Sequence, residues 1–214
     1  MRIIPHSVKK YGKVSFGKNC IVGEYSILGY PYVESEKSFK KIDKTLIGNN
    51  CVIGSYVIIY EGTVIGDGTF IEDYCRIGAE VKIGEKCRIM YAANISSETT
   101  LGDDCIIAGF CCERAIVGNK VRLFGELIHS HREPNRDWDE VEEDSPKISD
   151  NVLIGFGAKV IGGISIGKNS YIAAGAIVTR NVPEAHVVTG INKKVHFRKW
   201  KGRLRTSPFF LESR

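Results

Sequence analysis

The stretch Ile47-Gly-Asn-Asn-Cys-Val-Ile53-Gly-Ser-Tyr-Val-Ile-Ile59-Tyr-Glu-Gly-Thr-Val-Ile65-Gly-Asp-Gly-Thr-Phe-Ile71 decides the fold. An isoleucine returns at every sixth residue, and the period runs on through Ile77, Ile83, Ile89, Ile95, Leu101 and Ile107. Four places after each stands a small residue: Cys51, Val57, Thr63, Thr69, Cys75, Val81, Cys87, Ala93, Thr99, Cys105 and Cys111. Gly often follows the aliphatic position, as at Gly48, Gly54, Gly66, Gly78, Gly84 and Gly102. The same pattern opens the chain at Phe16, Val22 and Leu28, and it resumes at Ile148, Ile154, Val160, Ile166, Ile172 and Val178.

A period of six fits neither a helix nor a simple alternating strand. It fits a short strand plus a corner, three of which close one triangular coil. The branched residue points inward at mid-strand, and the small residue points inward near a corner, where room is short. Gly and Asn suit the positive φ that such corners need. No coil buries its apolar face alone, so the core is a stack of aliphatic ladders, and the open end needs a cap. The spacing thus predicts an all-β fold, a parallel β-helix.

The 214 residues are 43 % hydrophobic and 26 % charged, a globular composition. No apolar window is long enough to span a membrane, and the N-terminus has no signal-like apolar run, so we expect a cytoplasmic protein without a membrane partner. The net charge of +5 is local: Lys193, Lys194, Arg198, Lys199, Lys201, Arg203 and Arg205 cluster without an acid among them. Such a patch suits a polyanionic small ligand and argues against a general nucleic-acid binder. Six of the seven cysteines (Cys20, Cys51, Cys75, Cys87, Cys105, Cys111) fall in the small inward slot and read as core residues in a reducing compartment. Cys112 is the one candidate exposed thiol. The metal-binding CxxC type of spacing is absent, so no metal is expected.

Two inserts break the period: Tyr30 to Thr45, and a loop from His129 to Lys147 that ends in the acidic run Asp137 to Asp144. This divides the chain into a β-helix over 1–183, with insert 30–45 and active-site loop 129–147, and a basic capping segment over 184–214. The stretch from Lys193 to Trp200 reads as a short basic segment or helix over the last coil. Loops thrown out of a rigid scaffold usually carry function.

The segment Ile154-Gly-Phe-Gly-Ala-Lys-Val-Ile-Gly-Gly-Ile-Ser-Ile-Gly-Lys-Asn-Ser-Tyr-Ile-Ala-Ala-Gly-Ala-Ile-Val-Thr-Arg-Asn-Val-Pro183 resembles the C-terminal signature of hexapeptide-repeat acyltransferases. Val187-Val-Thr-Gly-Ile-Asn-Lys-Lys-Val195 is similar to the segment that follows it, with Asn192 and Lys193 replacing a usual Pro and Ala. The resemblance implies a left-handed winding, a homotrimer, and acetyl transfer from acetyl-CoA as acyl donor. Its nearest branch is the sugar and xenobiotic O-acetyltransferases. It implies a donor site at Phe156, Gly157 and Ala174 for the thin arm, with Thr179, Arg180 and Lys194 at the adenine and phosphate end. The acceptor is expected to be a small molecule, a sugar or amino sugar.

Attack of a hydroxyl on a thioester needs a general base, and His is the usual choice. His129 and His131 stand where the resemblance places it. Counting sixes from Val117 and Leu123 puts His129 inward and His131 outward, which favours His131. Glu126 is a candidate to orient the imidazole. Trp138, Tyr30 and Tyr32 could stack on a sugar, and the acidic run could select a cationic one. Two other readings remain open: a γ-type zinc carbonic anhydrase, which would need three His ligands, and a non-catalytic β-helix binding module.

Overall fold

Each six-residue unit forms a strand and a corner, and three units make one turn of a triangular prism. A computed structural model describes residues 3–32, 44–130 and 144–199. In chain order, the first face carries strands such as Val52–Ile53 and Phe70–Ile71, the second Ile58–Tyr60 and Arg76–Ile77, and the third Val64–Ile65 and Lys82–Ile83. Among the described residues these sheets hold ten, nine and eight strands, all parallel save the last pair. The fold is the expected all-β, left-handed parallel β-helix. We call the corner between faces one and two edge I, that between two and three edge II, and that between three and one edge III.

The inward positions obey the period. Ile59, Ile77 and Ile95 pair in register up face two, and each is fully buried. The small slot is buried as expected, but it is not merely compact. Thr63 Oγ1 donates to the Gly78 carbonyl at 2.8 Å and Thr69 Oγ1 to that of Gly84 at 3.0 Å. The thiols do the same, Cys51 Sγ to Gly66 at 3.2 Å and Cys87 Sγ to Gly102 at 3.1 Å. Where the slot holds Thr or Cys, its side chain gives a carbonyl of the next coil a partner; Val57, Val81 and Ala93 fill it by size alone. Burial pushes the Cys51 and Cys75 thiols up to about 11.

The corner glycines have a different reason from the one expected. Gly48 has no positive φ; a Cβ there would fall 2.4 Å from Asp67 Oδ1, which accepts the Asn49 N–H at 2.7 Å. Gly54 stands in the same relation to Asp73. These glycines make room for a carboxylate from the next coil. The left-handed φ falls two residues later and is adopted by many side chains besides Asn: Tyr56, Glu80, Lys86, Glu98 and Lys120 all sit at φ 54 to 59°.

Two corners on edge I are cut short. Asn94 pairs with Phe110, and Phe110 with Glu126, where an undisturbed coil would place the partner two residues later. Ile107 reaches Cys111 through Ala108 and Gly109, and Leu123 reaches Leu127 through Phe124 and Gly125. Three expectations fail for this one reason. Cys111 takes the aliphatic position, between Ile95 and Leu127, instead of the small slot. Cys112 is buried, with 3 % exposure, and is no surface thiol. Leu127 takes the inward place that counting gave to His129. Gly109 is obligatory, since a Cβ would lie 1.7 Å from the Gly125 carbonyl oxygen.

The winding is continuous across both inserts, which leave from edge II: Ser15 pairs with Leu46, and Val117 with Ile148. His186–Thr189 is still a parallel strand of face one; the chain then reverses into Lys193–His196, antiparallel to it, and ends in a 3-10 turn at Phe197–Lys199. A turned-back strand, rather than a helix, covers the exposed sheet edge.

Candidate functional site

Edge I changes character along its length. In the lower coils its left-handed corner position carries Tyr25, Tyr56 and Tyr74, each about half exposed. The rings stack on one another, Tyr25 on Tyr56 at 5.3 Å and Tyr56 on Tyr74 at 5.1 Å, with Tyr91 edge-on to Tyr74 at 5.6 Å. Next come the two shortened corners, and then Gly157, Gly175 and Gly190 at φ 55 to 69°. A Cβ at any of these three would meet nothing within 4 Å. Tyr56 adopts the same φ, so the backbone does not require glycine at 157 or 175. Its presence there leaves the edge bare.

Three expected donor residues meet on this bare stretch. Phe156 is 69 % exposed and stacks on Phe124, with centroids 4.9 Å apart. Gly157 follows it, and Ala174 is exposed one coil above. The Ala174 N–H finds no hydrogen-bond acceptor among the described residues, whereas lower on this edge the Ser55 and Tyr91 N–H groups are held by Asp73 and Glu72. Phe124 escaped the sequence reading because the shortened corner hid its register.

The other three expected donor residues lie elsewhere. Thr179 and Arg180 are on edge II. Both polar groups of Thr179 are bonded to Asn192, its N–H to Oδ1 at 2.9 Å and its Oγ1 to Nδ2 at 2.9 Å, which ties the last coil to the cap. Lys194, on the reversed strand, reaches across the top of the prism and donates to the Asn181 carbonyl. With Lys193, Arg198 and Lys199 it makes that end of the prism basic.

His129 lies half-buried on edge II, where the second insert leaves. Its Nε2 faces Ser145 Oγ at 3.0 Å and the Glu113 carbonyl at 3.2 Å, while Ser145 Oγ donates to that same carbonyl at 2.5 Å. With the serine proton committed to the Glu113 carbonyl, Nε2 is the donor in this contact. The contact also joins the two ends of the insert. His131, Trp138 and the acidic run up to Glu143 lie outside the described residues, as does insert 33–43. Glu126 pairs with Lys159 at 2.5 Å, and a contact with His131 would lie outside the described residues. Tyr30 and Tyr32 pack edge-on against Tyr60, at 5.5 and 5.9 Å. Among the described residues no three His, Cys, Asp or Glu side chains group as metal ligands, and no helix is long and apolar enough to cross a membrane.

The bacterial transferase hexapeptide model, six repeats, matches residues 44–79 and 145–180. These two segments, about a third of the chain, carry the hexapeptide repeat of that model. Serine acetyltransferase of Synechococcus elongatus is 47 % identical over 53 residues, 25 % of this chain and 22 % of that one. The bifunctional protein GlmU of Stenotrophomonas maltophilia is 26 % identical over 146 residues, 68 % of this chain and 27 % of that one. The repeat chain thus spans about a quarter of the length of these relatives. Among solved structures, the UDP-N-acetylglucosamine acyltransferase of Arabidopsis aligns over 98 % of this chain and 78 % of its own, at 14 % identity and TM-score 0.49.

Proposed function

We propose that this chain is an acetyltransferase that moves an acetyl group from acetyl-CoA to a hydroxyl or amine of a small acceptor, a sugar or amino sugar. The observation that carries the reading is the bare upper half of edge I. It offers a thin arm a track with no side chain at its glycine corners, flanked by Phe156, beside an Ala174 amide with no acceptor among the described residues, and a basic end at Lys193, Lys194 and Arg198 for the phosphates. Serine acetyltransferase and GlmU among the relatives agree with it.

The chemistry needs few parts. The acceptor oxygen or nitrogen attacks the thioester carbonyl, its proton passes to a histidine, the C–S bond breaks, and the thiolate leaves with that proton. The base comes from the His129–His131 pair. We assign it to His131, with His129 stapling the loop through Ser145 and Glu113; His129 is the second candidate. In one chain the bare track is on edge I and His129 on edge II, at opposite ends of the face-two strands. A homotrimer that brings edge II of one copy against edge I of the next closes the site.

The test is thiol release from acetyl-CoA across a panel of sugars, amino sugars and serine. His131→Ala should lower turnover by at least ~10²-fold, the scale of a general base. An unchanged rate with His131→Ala, and a loss of that size with His129→Ala, would move the role to His129. No thiol release with any acceptor and no binding of CoA would overturn the reading.

A further inference from the structure

The two shortened corners leave a notch in edge I. At Ala108-Gly109 and Phe124-Gly125 the chain lacks the left-handed residue that this edge carries at Tyr25, Tyr56, Tyr74 and Ala92 below and at Gly157 and Gly175 above. Phe124 occupies the upper of the two corners, so the open notch is the corner at Ala108-Gly109, one coil or about 5 Å high at the usual strand spacing. Its floor is glycine backbone that cannot accept a side chain. Tyr91, 64 % exposed, bounds it below, and the Phe124–Phe156 stack bounds it above. An exposed ring such as Phe156 is costly to leave in water and marks a contact.

The position of the notch says what fills it. If the donor lies on the bare upper half of edge I with its phosphates at the basic cap, its thioester end points down the prism. Past Ala174, Gly157 and Phe156, the next open space is the notch. We propose that the notch receives the acyl chain of the donor, and that the preferred donor carries a short apolar acyl group longer than acetyl. This rests on the donor reading above, and it changes what is transferred, not where the donor lies. An acetyl group would leave the Phe124 and Tyr91 faces wet. A propionyl or butyryl chain would cover them, and each buried methylene should tighten binding about three- to fourfold.

The experiment is calorimetric titration of the intact protein with CoA, acetyl-CoA, propionyl-CoA and butyryl-CoA. Stepwise tightening from acetyl to butyryl supports the proposal. Ala108→Leu, which places a side chain in the notch, should remove that gain, as should Phe124→Ala, which removes its wall; the thermal midpoint checks that each variant is folded. Equal affinity for the three acyl donors, with CoA binding intact, overturns the acyl pocket and leaves the donor track standing. A chain-length gain that survives in both folded variants also overturns it. Absence of CoA binding overturns the donor track, and the pocket with it.

Discussion

The lower and upper halves of edge I share one backbone and differ in side chains. Both place a left-handed residue at the corner, Tyr56 at φ 56° and Gly175 at φ 69°. Below, the position carries stacked phenols; above, it carries nothing. A left-handed φ strains an L side chain by ~1–2 kcal/mol, yet this chain accepts it at sixteen described non-glycine residues. Glycine at 157 and 175 avoids that strain, and the open space beside it is what distinguishes the two halves.

The halves should respond alike to damage in the core they share. Ile77→Ala below and Ile172→Ala above each empty a fully buried ladder position and should cost about 2–5 kcal/mol in denaturant unfolding. A large cost in one half alone would mean the coils do not unfold as one unit.

They should respond oppositely at the corner. Gly175→Tyr copies the lower half into the upper one. It should fold with little loss of thermal midpoint but weaken CoA by on the order of 10²-fold, ~2.7 kcal/mol, in a binding titration. The reverse change, Tyr56→Ala, removes stacking on Tyr25 and Tyr74 and should cost about 1 kcal/mol of stability, with CoA affinity unchanged.

The smallest effect is alkaline. Burial raises the Cys51 and Cys75 thiols from 9.0 to about 11, so the folded chain keeps protons that the unfolded chain releases. Their contribution is complete below pH 9 and is lost as pH rises toward 11. The matching upper slots at Val152 and Ala176 hold no thiol, so the weakening should begin below, visible as earlier amide exchange around residues 51–75 than around 152–176.

The period made the fold legible because each coil repeats one steric demand, an aliphatic residue at mid-strand and a small one at the corner. It failed where that demand changed. Losing two residues at Ala108-Gly109, and again at Phe124-Gly125, shifts the register without any signal in composition. That hid Cys112, Leu127 and Phe124 from a count of sixes. Of the proposed donor residues, Phe156, Gly157 and Ala174 come together on one edge, while Thr179 and Arg180 fall on the next because the chain turns a corner after Val178. The glycine logic was opaque for a physical reason. Gly48 and Gly175 look alike in sequence, but one admits a neighbouring carboxylate and the other leaves open space.

Hydrogen exchange with and without CoA separates the two halves of edge I. CoA should slow exchange at 155–158 and 173–176, most at the Ala174 amide, and leave it unchanged at 54–57 and 72–75, the corners that carry the phenols. Protection spread evenly along edge I, or confined to the tyrosine half, would contradict a donor on the bare upper half.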